Sequence, residues 1–414
     1  MKTIQHFATI SALAIITLTN YSCKKEDAGK TNTTTIQPKT ISCDQITANT
    51  TWADVNADPN AVDYIINCWI EVDNGAVITV APGVRIQFTS SNGGIGLLGQ
   101  AGLNMQGTAD KPIVLEGVQH VAGEWSGIQV KSNSASTIFE YVTFADAGST
   151  TWEIISDRKA AVQVAGRYWG SCRISKINHC TFKNSLGAGI FAGLGATIST
   201  FGNNSFIDNQ KSPIITDIQI ASIIDNTTTF TNNTQQFIDI YEAEGGNGYT
   251  DDITIKNIRI PYRVANGVRI ELFAGAFLIE PGVTFEMGSD SFLEENMLGT
   301  AVIRAVGNPT SPITFTGTQK IPGFWGGITI ATSLDNRLDY CNISYGGSSE
   351  HGLYDGHKAN VFVHYYSNGK LTMNGCKSDH SLTYGLSYRS TNCDVNEFNN
   401  TYTYNTVGEV EVYN

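Results

Sequence analysis

The chain has 414 residues, 26 Lys+Arg against 38 Asp+Glu, and a formal net charge of −12. Only 15% of its residues are charged while 41% are hydrophobic, which excludes wholesale disorder, and 41 glycines point to turn-rich β structure. The acidic balance and the lack of any Lys/Arg run argue against nucleic acid as a partner.

In chain order, Lys2 and the apolar stretch 10–18 have the form of an export signal, and the stretch is too short to span a bilayer. The segment Asn20-Tyr21-Ser22-Cys23 resembles the lipobox of bacterial lipoproteins, with Asn20 and Tyr21 departing from its strict form. Cys23 is then the lipidation site, and Lys24-Lys25-Glu26-Asp27 looks like the signal that sends such lipoproteins to the outer face of the outer membrane. Two or more acyl chains on Cys23 give stable anchoring, whereas a single chain is marginal. The expected division is a signal peptide over 1–22, a flexible Thr-rich tether over 23–42 and a folded body over 43–414. Seven cysteines remain after Cys23, so at most three disulfides form. Cys43 with Cys68 is a candidate N-terminal staple and Cys172 with Cys180 a second pair; the pairing of Cys341, Cys376 and Cys393 stays open. No CxxC spacing suggests a thiolate zinc site.

The body repeats itself. Gly75-Ala76, Pro82-Gly83-Val84, Gly107, Pro112-Ile113 and Trp125-x-Gly127-Ile128 return as Gly275-Ala276, Pro281-Gly282-Val283, Gly307, Pro312-Ile313 and Trp325-x-Gly327-Ile328, with Trp125 and Trp325 200 residues apart. The two copies occupy about 43–240 and 241–414. A shorter period runs inside them: Phe182, Phe206 and Phe230 are 24 residues apart, each followed by Asn or Asp, and Phe398-Asn399-Asn400 has the same form. Between these points apolar residues alternate with period two, as in Val84/Ile86/Phe88, which predicts short strands. A 24-residue unit of strands without helix predicts an all-β parallel β-helix, with the Phe residues stacked inside and the Asn/Asp residues at the corners. A two-sheet sandwich is the rival, but it does not require a Phe ladder at that spacing.

This signature resembles right-handed parallel β-helix proteins of the pectin-lyase-like superfamily, and among them Bacteroidetes surface lipoproteins. The resemblance covers residues 43–414 and implies a single-stranded right-handed solenoid, its two copies of about 200 residues forming one continuous helix. It does not decide function, because the superfamily includes polysaccharide lyases, glycoside hydrolases and non-enzymatic adhesins.

Chemistry is less marked. Arg259-Ile-Pro261-Tyr262-Arg263 is similar to a pectate-lyase element but one residue short, and Asp251-Asp252 are neighbours whose side chains point apart in a strand. No residue is therefore assigned a catalytic role. The loop 346–358 carries Glu350, His351, Asp355 and His357, a set able to bind Zn²⁺ or Ca²⁺. It aligns with 148–159, and both loops are expected to protrude from one face. Glu242, Glu244, Asp251 and Asp252 around 245–248 form a second Ca²⁺ candidate. Trp152, Tyr168, Trp169, Tyr354, Tyr365 and Tyr366 are the candidate sugar-stacking aromatics, while Trp125 and Trp325 belong to the wall. The expected function is a monomeric, non-catalytic binding scaffold for glycan or another surface partner. A lyase or hydrolase with an unrecognised site, or a structural adhesin, is the alternative.

Overall fold

The period-two alternation becomes a wall. In Val77–Val80, Arg85–Phe88 and Gly94–Gly99, the side chains of Ile78, Val80, Ile86, Phe88, Ile95 and Leu97 are buried, and the residues between them face out. The computed structural model describes residues 36–151, 158–166, 170–243, 248–348 and 356–414. Three such strands make one coil, and all pairing between coils is parallel: Val80 lies against Met105, Ile86 against Leu115, and Leu97 against Val130. The chain is thus a parallel β-helix with a narrow apolar core along its axis, and Thr35–Asn414 forms one unit.

Phe144, Phe182, Phe206 and Phe230 stack inside at centroid spacings of 5.0, 4.8 and 5.6 Å. Two residues after each of the last three, Asn184, Asp208 and Asn232 turn the corner in the left-handed region (φ 51, 54 and 53°). The next residue points inward. Asn209 Oδ1 accepts from Ser185 N at 3.1 Å and its Nδ2 donates to Phe182 O at 3.1 Å, and Asn233 donates likewise to Phe206 O. These side chains satisfy corner backbone groups that the sheets leave unpaired.

Phe398 does not continue the ladder. It lies one strand earlier, in Asp394–Phe398, and is 54% exposed; Tyr402 in Thr401–Thr403 holds the inward position. The ladder of the second copy is Tyr262, Phe285 and Phe315, spaced 5.6 and 5.4 Å.

That second ladder lies on a different sheet from the first. Early coils run through a six-stranded sheet that includes Val77–Val80 (sheet 3), an eight-stranded sheet that includes Arg85–Phe88 (sheet 1), and a thirteen-stranded sheet that includes Gly94–Gly99 (sheet 2). Sheet 2 alone continues to the other end, but late coils enter it with their middle strand. Ala276–Ile279 lies in a new six-stranded sheet (sheet 4), Thr284–Met287 in sheet 2, and Phe292–Glu295 in another (sheet 5). The change occurs across 217–261, which holds the one short helix among the described residues, Ile218–Ala221, and lets Ile238–Ile240 pair directly with Tyr262–Val264. Repeat-equivalent residues are therefore displaced by seven coils and one strand. They face different ways.

The sequence suggested that the two long loops protrude from one face, but the strands that follow them lie on different sheets. Val142–Ala145 of sheet 1 is followed by Ala160–Val164 of sheet 2, whereas Cys341–Ser344 of sheet 2 is followed by Ala359–Val363 of sheet 5.

At the N-terminal end the wall begins inside the expected tether, because Lys39–Thr40 pairs with Tyr64–Ile66. A disulfide joins Cys43 to Cys68, with Cα atoms 5.9 Å apart. Cys172 and Cys180 form no disulfide with each other: Arg173–Ile174 and Lys176–Asn178 run extended between them. Cys180 is a buried thiol 3.4 Å from Asn178 O, and burial pushes its pKa up to about 12.

Candidate functional site

A trough opens on the outward face of sheet 2 where Trp69–Val72, Gly94–Gly99 and Gly127–Ser132 lie side by side. The register sets Trp69 beside Gly94 and Gly127, and Glu71 beside Gly96 and Gln129. A Cβ on Gly94 or on Gly96 would come within 2.6 Å of the Trp69 ring, so the indole lies along a floor that only glycine can form. The trough encloses about 290 Å³ and is lined by Trp69, Glu71, Leu98, Gln129, Lys131 and Thr150, among others.

Gln129 is the telling residue. It is 3% exposed, and its Oε1 has no hydrogen-bond partner among the described residues. Its neighbour Gln163 is tied down, donating to Thr150 O at 3.2 Å. An unmet buried carbonyl costs about 1–3 kcal/mol. A hydroxyl donor placed in the trough would remove that cost. An aromatic ring beside hydrogen-bonding side chains suits a ligand with an apolar C–H face and peripheral hydroxyls. Glu71 is the one carboxylate among the described lining residues.

Charged groups from adjacent coils do converge at one corner of sheet 1. Arg85 Nη1 meets Glu116 Oε1 at 2.7 Å, and His120 Nδ1 lies 3.3 Å from Asp146 Oδ2 and 4.0 Å from Glu116 Oε2. Asn184 Nδ2 donates to Asp146 Oδ1 at 2.7 Å, and Gly117 N to Asp146 Oδ2 at 3.3 Å. Both carboxylates are engaged by the wall itself, and they clamp the corner rather than face a ligand.

The sequence-selected residues fall in several places. Trp125 and Trp325 are fully buried, and their Nε1 groups donate to Ala145 O at 2.7 Å and Ser344 O at 2.8 Å. His357 Nδ1 lies 2.9 Å from Glu411 Oε2, and its ring stacks on Tyr413 at 3.6 Å. Glu350, His351, Asp355, Tyr354, Trp152, Tyr168, Trp169, Glu244 and Cys23 lie outside the described residues. Among those described, no group of three or more His, Cys, Asp or Glu is placed to hold a metal ion. Asp251 Oδ2 accepts from Gln219 Nε2 at 2.8 Å, and Asp252 Oδ1 from Ala276 N at 2.7 Å. Arg263 Nε donates to Glu286 at 2.8 Å, and Arg259 sits at a left-handed corner.

Tyr366 is exposed, but Tyr365 is covered by Tyr366 at 4.3 Å and by Arg389 at 4.9 Å. Tyr345, His380 and Tyr404 form an outer column with 5.1 Å spacings, in which each ring covers its neighbour's face. Tyr404, at the end of the column, is 77% exposed. The Trp69 trough escaped sequence reasoning, although Gly94-x-Gly96 inside an apolar alternation marks close approach by another group.

Comparison with protein-family models, curated proteins and solved structures finds no match to this chain.

Proposed function

We propose that this protein is a cell-surface lipoprotein of Bacteroidetes type, a non-catalytic β-helix that binds glycan along the outward face of sheet 2. Anchoring rests on the export signal and Cys23-Lys24-Lys25-Glu26-Asp27. Binding rests on one observation above others: Trp69 laid over the Gly94/Gly96 floor, with an unpartnered buried carbonyl of Gln129 beside it. A sugar ring against the indole and a hydroxyl donated to Gln129 Oε1 would satisfy both groups.

A glycan array followed by titration calorimetry tests the reading. Trp69→Ala is expected to weaken binding at least ten-fold and Trp69→Phe to restore part of the loss. An array without hits removes the proposal. The enzyme alternative attaches to Glu116 and Asp146: release of reducing ends or unsaturated sugars, abolished by Glu116→Gln, would replace binding with catalysis. Metabolic labelling with an alkyne fatty acid, lost in Cys23→Ser, tests the anchor.

A further inference from the structure

Sheet 2 carries a second hollow on the same outward side, one to four coils beyond Gly127–Ser132. There the corners from sheet 1 deliver the chain into Ala160–Val164, Ala188–Ala192, Ile214–Thr216 and Ile238–Ile240. It encloses about 610 Å³ and is lined by Arg158, Lys159, Gln210, Lys211, Gln235 and Asp239, with Ile215 in its wall. Phe191 and Ile215 point out of the coil yet are buried, packing with Ala160, Ala188 and Tyr241 into a small apolar cluster outside the main core. The hollow therefore has a firm base.

Its charge is opposite to that of the chain. Three cations and one carboxylate line it among the described residues, in a protein with 26 basic and 38 acidic residues. Arg158 holds its guanidinium 4.2 Å over the Tyr241 ring. Its Nη1 is buried without a hydrogen-bond partner, and the approach to Asp239 Oδ2 is 3.9 Å, too long for a hydrogen bond. Burial raises the pKa of Asp239 against the influence of Arg158 and Arg263. A planar guanidinium with an unused N–H suits a two-oxygen anion. Charges elsewhere on the chain act weakly here, since the Debye length at physiological salt is about 8 Å.

We propose that this hollow binds an anionic oxygen group, the carboxylate or sulfate ester of an acidic polysaccharide whose other rings extend along sheet 2 toward Trp69. The polymer part rests on the glycan-binding reading above. Gly94–Gly99 and Ile214–Thr216 are four strand steps apart in sheet 2, roughly 19 Å at the spacing of paired strands, so one extended chain reaches both.

Affinity electrophoresis and calorimetry on the full chain at 150 mM salt, roughly physiological ionic strength, test it. The probes are polygalacturonate, dextran sulfate, neutral dextran and sodium phosphate. At least one anionic polymer is expected to bind ten-fold or more tighter than dextran. Arg158→Gln combined with Lys211→Gln should remove that advantage, Arg158→Lys should keep part of it, and Asp239→Asn should strengthen binding several-fold. Unchanged anionic affinity in the double variant, with an unchanged thermal midpoint, overturns the proposal. Phosphate binding that depends on Arg158, without tighter binding of either anionic polymer, overturns the polysaccharide source and identifies a free-anion site. Loss of polymer binding in the Arg158/Lys211 variant but not in Trp69→Ala removes the trough reading and upholds the hollow. The reverse pattern removes the hollow alone.

Discussion

The two copies present the same strands and opposite surfaces. Where copy one has Trp69 lying over Gly94 and Gly96, copy two has Arg269 beside Phe292 and Glu294. Arg269 lies 5.1 Å over the Phe292 ring and its Nε is 2.7 Å from Glu294 Oε1, so the position is filled and its polar groups are paired. The tryptophans of the walls match: Trp125 and Trp325 are both fully buried, and both donate to a carbonyl one coil further on, in Val142–Ala145 and Cys341–Ser344. At one inward position an apolar side chain gives way to a carboxyl. Leu97 of copy one is answered by Glu295, a buried carboxyl that accepts from Ala331 N at 2.7 Å and Thr332 N at 2.9 Å. The repeat keeps what the coil needs to close, and its outward residues are free to become a ligand trough in one copy and a sealed surface in the other.

The strongest way to break this comparison is at the walls. Trp125→Ala and Trp325→Ala should each destabilise by about 3–5 kcal/mol, measured as matched shifts in denaturant midpoint. Unequal shifts would show that the walls are not equivalent.

Next in size is a pH effect that is largest in copy two. Burial pushes the carboxyls of Glu294 and Glu295 up to about 7, Glu294 despite its Arg269 partner. The folded state then holds protons that the unfolded chain releases near its ordinary value of about 4.3, so stability is full below that value and falls as pH rises towards 7. The expected loss is on the order of 3 kcal/mol for each group. Glu295→Gln should flatten part of the slope in a series of melts, and a flat wild-type profile from pH 4.5 to 7, about the interval between those two values, would contradict the assignment.

Gly96→Ala should cost about 1–3 kcal/mol by overpacking, and should displace the Trp69 ring and with it glycan binding. Intrinsic tryptophan fluorescence and calorimetry read both effects. The smallest contrast is at the last coil, where Phe398→Ser should move stability by no more than about 0.5 kcal/mol while Tyr402→Ser costs clearly more. The opposite order would restore Phe398 to the ladder.

Much of the fold was legible because a 24-residue stack repeats its chemistry at every level: Phe182, Phe206 and Phe230, with Asn or Asp after each, announce the coil length and a corner. Phe398 misled because two corners of each coil use asparagine. Asn399 and Asn400 match Asn203 and Asn204, with Asn400 and Asn204 accepting from Cys376 N and Cys180 N at 2.9 Å, rather than Asp208 and Asn209. The displacement between copies follows from the direct pairing of Ile238–Ile240 with Tyr262–Val264, which no local pattern encodes. The trough was hidden for a related reason. A glycine inside a strand shows its purpose only when the neighbouring coil brings Trp69 over it, and the cationic hollow gathers Arg158, Lys211 and Asp239 from three coils.

The one-strand displacement also governs how this protein can change length. Deleting the 24 residues from Phe182 to the residue before Phe206 takes out one complete turn and leaves the remaining strands on their own sheets. Deleting a whole copy of about 200 residues takes out seven turns and a fraction, and swings everything after the junction round by one side of the prism. Coils are therefore the unit in which the molecule can be shortened or extended, and the longer repeat, although more conspicuous in the sequence, is not interchangeable.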